Sequence, residues 1–186
     1  MQVWKYFSCA ALGTLIFVCH SQPNNAATAN QTPPFSNPKN YIGFKYSDNQ
    51  QISGVEVLGS SIMFSGGAVR NMYGGYHHVK QGQTQMLWLT GKTKAIDKGK
   101  PIWVVLDVLT FPKYNQQLNA KTYYLGWGGK CRIRNGLSDA NLVAVAVLEN
   151  KLWLDQVKQA WRLNRKTGKF EPYSIKNMRC ENPNLS

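Results

Sequence analysis

From residue 51 onward the chain alternates apolar and polar positions in short runs, the pattern of half-buried β-strands. In 51–58 the apolar positions are Ile52, Val55 and Val57, and 61–64 resumes the run after Gly59. Residues 83–90 predict a second strand with Met86 and Trp88 on one face. Residues 102–109 are apolar on both faces apart from Asp107, as a central strand requires, and Pro112 closes the run. Between these two, 92–100 reads as a lysine-rich connector punctuated by Gly91 and Gly99. Residues 122–127 and 130–134 alternate on either side of Gly128-Gly129, which predicts a bend or bulge. In the second piece Cys131 and Ile133 face one way, while Lys130, Arg132 and Arg134 face the other. Asn135-Gly136 starts a turn that runs to Asn141, and 142–148 is a further β-branched and apolar run.

The period then changes. Trp153, Val157 and Trp161 recur every four residues, which predicts a short helix over 151–159. Residues 160–173, with Arg165-Lys166-Thr167-Gly168 in the middle, predict a β-hairpin. The sum is a mainly antiparallel β fold with one or two short helices, closed as a twisted sheet, a small barrel or a sandwich.

The first forty residues are different. Residues 1–7 carry a single charge at Lys5, and 8–18 are a compact apolar run too short for a stable bilayer anchor. We expect 1–20 to be a signal sequence, with cleavage between 18 and 29. Cys19 directly follows the apolar run, so lipid attachment there, giving a membrane tether, is a second expectation. Residues 21–40, rich in Pro and Asn, predict a flexible linker, and 41–186 a single β-rich domain. Cys9 and Cys19 belong to the leader and its edge, which leaves Cys131 and Cys180. In an oxidising compartment two such cysteines pair, so we expect a Cys131–Cys180 disulfide.

Charge adds a partner class. The chain has 22 basic and nine acidic residues; without Lys5, 21 against nine leaves a net +12 beyond the leader. Such an excess attracts polyanions and anionic surfaces. Lys92, Lys94, Lys98 and Lys100 form one cluster. The candidate contact residues are Lys130, Arg132 and Arg134 on one strand face, with Arg162, Arg165, Lys166 and Lys169 in the hairpin. Lys176 and Arg179 continue the basic C-terminal third. Expected partners are an anionic glycan, a lipid headgroup or an acidic protein surface; export and the lack of a stacking motif exclude nucleic acid.

Catalytic motifs are absent, and no cofactor is expected. No phosphate-loop spacing exists: five residues before Gly91-Lys92-Thr93 stands Met86, where a glycine is required. His77 and His78 follow Gly74-Gly75-Tyr76. On a strand they would point to opposite faces, but in a glycine-rich loop they could share a metal, with Met72 as a soft third ligand. Asp107 either points to solvent or is buried and paired with Arg132 or Arg134.

Ile102–Leu109, Leu142–Leu148, Trp153-Leu154-Asp155, Ala160-Trp161-Arg162 and Arg179-Cys180-Glu181-Asn182 give 103–183 a resemblance to small exported bacterial proteins of unknown function. That resemblance implies an envelope setting and supplies no activity. The expected function is a non-enzymatic envelope or secreted module contacting an anionic partner. The alternatives are a metal- or substrate-handling protein centred on 74–78, or an inhibitor of a secreted enzyme.

Overall fold

A computed structural model describes residues 34–47, 50–63, 68–115, 118 and 122–185. The expected signal sequence, its cleavage region, Cys9 and Cys19 lie outside the described residues. After a 3-10 helix over Pro38–Tyr41, the strands are β1 (Lys45–Ser47), β2 (Glu56–Ile62), β3 (Ala68–Val69), β4 (Met72–Gln81) and β5 (Thr84–Asp97). β6 (Lys100–Thr110), β7 (Tyr123–Gly126), β8 (Cys131–Ile133) and β9 (Leu142–Val147) follow. β10 (Trp153–Leu154), β11 (Val157–Asn164), β12 (Lys169–Pro172) and β13 (Met178–Glu181) complete the chain. The antiparallel β class expected from the alternation is what forms.

The strands make three sheets. The first has the order β1-β6-β5-β4-β2, with β3 beside β4; the second is β12-β11-β9-β7; the third is β10-β13-β8. The inner face of the first sheet supplies Tyr76, Leu87, Leu89 and Leu109 to a central core, and the second sheet supplies Leu125, Val143, Val145, Trp161 and Leu163. The two sheets are therefore packed face to face. The outer face of the first sheet, with Val79, Met86, Trp88, Trp103 and Val105, is covered by Phe35, Tyr41, Tyr46 and Ile52. The outer face of the second, with Leu142, Ala144, Ala146 and Ala160, is covered by Cys131, Leu154, Met178 and Cys180 of the third. Because Phe35 is buried against Tyr41, the packed region begins ahead of Tyr41, inside the stretch expected to be linker.

Three expectations are corrected. No helix forms over 151–159; β10 and the start of β11 occupy that stretch. The four-residue spacing joins side chains on three different surfaces. Trp153 stays half-buried on the third sheet, Val157 packs in the outer core, and Trp161 packs in the central core. A register shift between Val157 and Gln159 inserts the residue that flips the parity. The lysine-rich connector is a continuation of the β5–β6 hairpin. Lys98 (φ 47°) and Gly99 (φ 78°) make its two-residue turn, with Asp97 opposite Lys100. Gly91 is an interior strand residue there, since a Cβ would lie 3.1 Å from both Leu106 and Met72. Finally, Gly74–His78 is the middle of β4 and not a loop.

Asp107 is buried, as one of its two readings required, but neither arginine is its partner. Lys39 Nζ lies 3.3 Å from its Oδ1, and the Phe170 N–H of β12 donates to Oδ2 at 2.9 Å. The carboxylate thus ties the N-terminal cover and the second sheet to β6.

Candidate functional site

The third sheet is built by strict alternation. Cys131, Ile133, Met178 and Cys180 point inward, so Arg132, Arg179 and Glu181 project outward together with Trp153 of β10. Cys131 and Cys180 are register partners and form the expected disulfide. Arg132 and Arg179 are the neighbouring register pair, so the cross-link fixes two guanidiniums opposite each other.

Like charges directly opposite repel. Here both guanidiniums lie against one aromatic ring: Arg132 Cζ is 3.9 Å and Arg179 Cζ 4.5 Å from the centroid of Trp153. The Nε atoms of both arginines are buried and make no hydrogen bond. On either side the charges are matched. Lys130 Nζ meets Glu181 Oε2 at 2.8 Å, and Arg134 Nη2 meets Asp155 Oδ1 at 3.1 Å. Arg132 and Arg179 have no carboxylate partner among the described residues, which concentrates the positive field of this face at their guanidinium ends.

The hairpin residues lie elsewhere. Arg162 pairs with Asp139 at 3.1 Å, and Arg165 Nε donates to Asn141 Oδ1 at 2.6 Å. The hairpin tip rests on the first sheet: Arg70 N–H donates to Arg165 C=O at 2.9 Å. A Cβ on Gly168 (φ 65°) would meet Arg70 Cδ at 2.8 Å. Lys166 and Lys169 are exposed at this tip. The seven candidate cations are thus split between the third sheet and the hairpin. Charge alone put Arg179 in the basic C-terminal third but not opposite Arg132, and it gave no sign of Trp153. The signal was available: Arg179 has the opposite parity to Cys180, as Arg132 has to Cys131.

His77 and His78 are not brought together. His77 packs edge-on against Tyr46 and lies 6.2 Å from Trp103, under the N-terminal cover. His78 faces the opposite side, where its Nε2 is 2.8 Å from Gln85 Oε1. Gln85 Nε2 donates to Asn115 C=O, so Oε1 must be the acceptor and His78 Nε2 the donor. Burial holds the imidazole below its ordinary pKa, so the ring is neutral with its lone pair on Nδ1. The shared metal expected for a loop has no counterpart on this strand, and no group of three His, Cys, Asp or Glu forms a metal cluster among the described residues.

His78 instead lines a cleft of about 490 Å³ where the three sheets meet. Ser61 and Gln85 come from the first sheet, and Tyr123, Tyr124 and Leu125 from β7. Trp127 and Lys130 come from the turn that carries the chain to the third sheet. That turn depends on Gly128 and Gly129, both at positive φ, so the expected bend is there. Burial and the Glu181 carboxylate push the Tyr124 phenol up to about 12, so it stays protonated. Among the described residues the cleft has aromatic walls, and its one charged lining residue, Lys130, is held by Glu181. Comparison with known protein families, with curated proteins and with solved structures returns no match for this chain.

Proposed function

We propose that this protein is an exported, periplasmic or secreted module that binds an anionic partner and is not an enzyme. The observation that carries this reading is the Arg132–Arg179 pair. Two guanidiniums are aligned by a disulfide one residue away and backed by Trp153, while the flanking cations are already matched. A carboxylate, sulfate or phosphate can take two parallel N–H bonds from such a fork. The Trp153 ring restrains both side chains before binding, which lowers the ordering cost. Lys166 and Lys169 supply a second, more diffuse cationic zone at the hairpin tip.

The compartment supports the same reading. A native disulfide suits an oxidising, non-cytoplasmic environment. No helix among the described residues is long and apolar enough to cross a membrane.

The test is binding of the purified chain to dextran sulfate, to anionic lipid vesicles and to an acidic peptide, each at low and high salt. Arg132→Ala with Arg179→Ala should weaken binding to the recognised anion about tenfold or more, roughly 1.4 kcal/mol. Lys166→Glu with Lys169→Glu should mainly flatten the salt dependence. Binding that ignores both salt and the arginine pair would overturn the reading. The reduced protein should bind more weakly than the oxidised one, because the register that aligns the arginines is then free to open.

A further inference from the structure

The cleft has one feature that side chains alone do not explain: it runs along an open strand edge. β7 is the last strand of the second sheet and, among the described residues, pairs with β9 alone. Two bonds fix the phase of that ladder. Leu148 N–H donates to Thr122 C=O at 3.0 Å, and Val147 N–H donates the other way, to Gln156 C=O at 3.0 Å. The even-numbered residues of β9 therefore bond towards β7, and Tyr124 and Gly126 are their bonded partners. It follows that the backbone groups of Tyr123 and Leu125 point away from β9; both residues line the cleft, Leu125 with only 4% of its surface exposed.

Two N–H and two C=O groups, two residues apart, match the hydrogen-bonding repeat of an added strand. The walls match it as well. Leu118, Tyr123 and Trp127 offer apolar contact, while Ser61, Gln85 and His78 lie on the first-sheet side. With Lys130 matched by Glu181, the described lining presents no unpaired charge to an incoming side chain. Exposed edges are usually short or protected, and β7 is both: four residues long and recessed between sheets.

We propose that the open edge of β7 accepts an extended peptide segment of a partner protein as an added strand, placing an apolar side chain between Tyr123 and Trp127. This goes beyond the arginine face and does not depend on it. Strand addition supplies affinity through the backbone, and the cleft supplies selectivity for the side chain.

A displayed library of random 12-residue peptides, selected on the purified full chain, supplies the probe. Without peptide, the amides of Tyr124 and Gly126 should be protected from hydrogen exchange and those of Tyr123 and Leu125 should not. A selected peptide should slow exchange at Tyr123 and Leu125 about tenfold or more. N-methylation along the peptide should alternate in effect: loss of about tenfold or more at one parity, and less than about twofold at the other. The Arg132→Ala, Arg179→Ala variant should keep peptide binding even where it has lost dextran sulfate, which separates the two readings. The proposal is overturned if no peptide is selected, if a bound peptide leaves those two amides unchanged, or if N-methylation shows no alternation.

Discussion

The two outer layers of this molecule solve one problem with opposite materials. Each central sheet has an apolar outer face that must be covered. Over the first sheet lies the N-terminal segment, with Phe35, Tyr41, Phe44 and Tyr46 packed edge-on or stacked among themselves and against Trp88. Over the second lies the third sheet, three strands of two to four residues laid on Ala144, Ala146 and Ala160. Aromatic side chains bury so much area that the first cover is held by packing and a few hydrogen bonds. Alanines bury little, and strands so short are marginal by themselves. That second layer carries the disulfide. The covalent cross-link thus lies over the face whose buried side chains are mostly alanine.

Removing the cross-link is therefore the severest way to break the contrast. Cys131→Ala with Cys180→Ala should cost about 4 kcal/mol, from the loop that the bridge closes in the unfolded chain. The third sheet should open first, seen as fast amide exchange across β8 and β13 while β4–β6 stay protected. Gly126 sharpens the point. A Cβ there would lie 2.3 Å from Cys131 Sγ and 3.1 Å from Cys180 Sγ, so β7 touches the bridge with bare backbone. Gly126→Ala should cost about 3 kcal/mol in the oxidised protein and clearly less in the Cys131→Ala, Cys180→Ala background. Equal costs in the two backgrounds would mean that the disulfide is not what excludes the methyl.

The other cover should fail locally and by packing alone. Phe35→Ala removes a ring in contact with both Tyr41 and Phe44 and should cost about 3 kcal/mol in thermal or denaturant unfolding. Exchange at 34–44 should rise before exchange in β4–β6 does. A loss spread evenly through the molecule would show that this cover is part of one cooperative unit with the sheet beneath it.

What could be read from the sequence follows from these same two layers. β8 was legible because its apolar and basic residues alternate with a period of two, and β9 because it is an unbroken β-branched and apolar run, buried on both faces. The disulfide was legible because the expected leader takes Cys9 and Cys19 with it and leaves two cysteines to pair. The segment around Trp153–Trp161 was not, because a bulge at Val157 shifts the parity and imitates a helical period. The site was half legible. Charge located Arg132, but its pairing with Arg179 and Trp153 depends on a register that spans 49 residues of chain. The cleft was not legible at all: its walls come from β2, β4, β5, β7 and the β7–β8 turn, and no local pattern joins them.

Asp107 tests how far the layers are coupled, with a smaller effect. It binds Lys39 of the N-terminal cover and the Phe170 N–H of β12 at once. Asp107→Asn keeps an acceptor for Phe170 and loses only the attraction to Lys39, whose side chain is 56% exposed. The expected cost is about 1 kcal/mol, with Lys39→Met accounting for most of it in a double-mutant cycle. A much larger loss would mean that the carboxylate bears on the packing of β12 against β6 more than on the cover.

A pH test addresses the centre of the molecule. His78 faces the central side of β4, and burial holds its pKa in the folded protein below the value in the unfolded chain. The unfolded state therefore takes up a proton first as pH falls below about 6.5, while the folded state resists it. The stabilisation is complete above that value and is lost as pH falls through the folded pKa, with a slope of at most about 1.4 kcal/mol per pH unit. His78→Gln, which can still donate to Gln85, should flatten the dependence of melting temperature on pH between 7 and the folded pKa. A slope that survives His78→Gln would place the sensitive group away from the central side of β4.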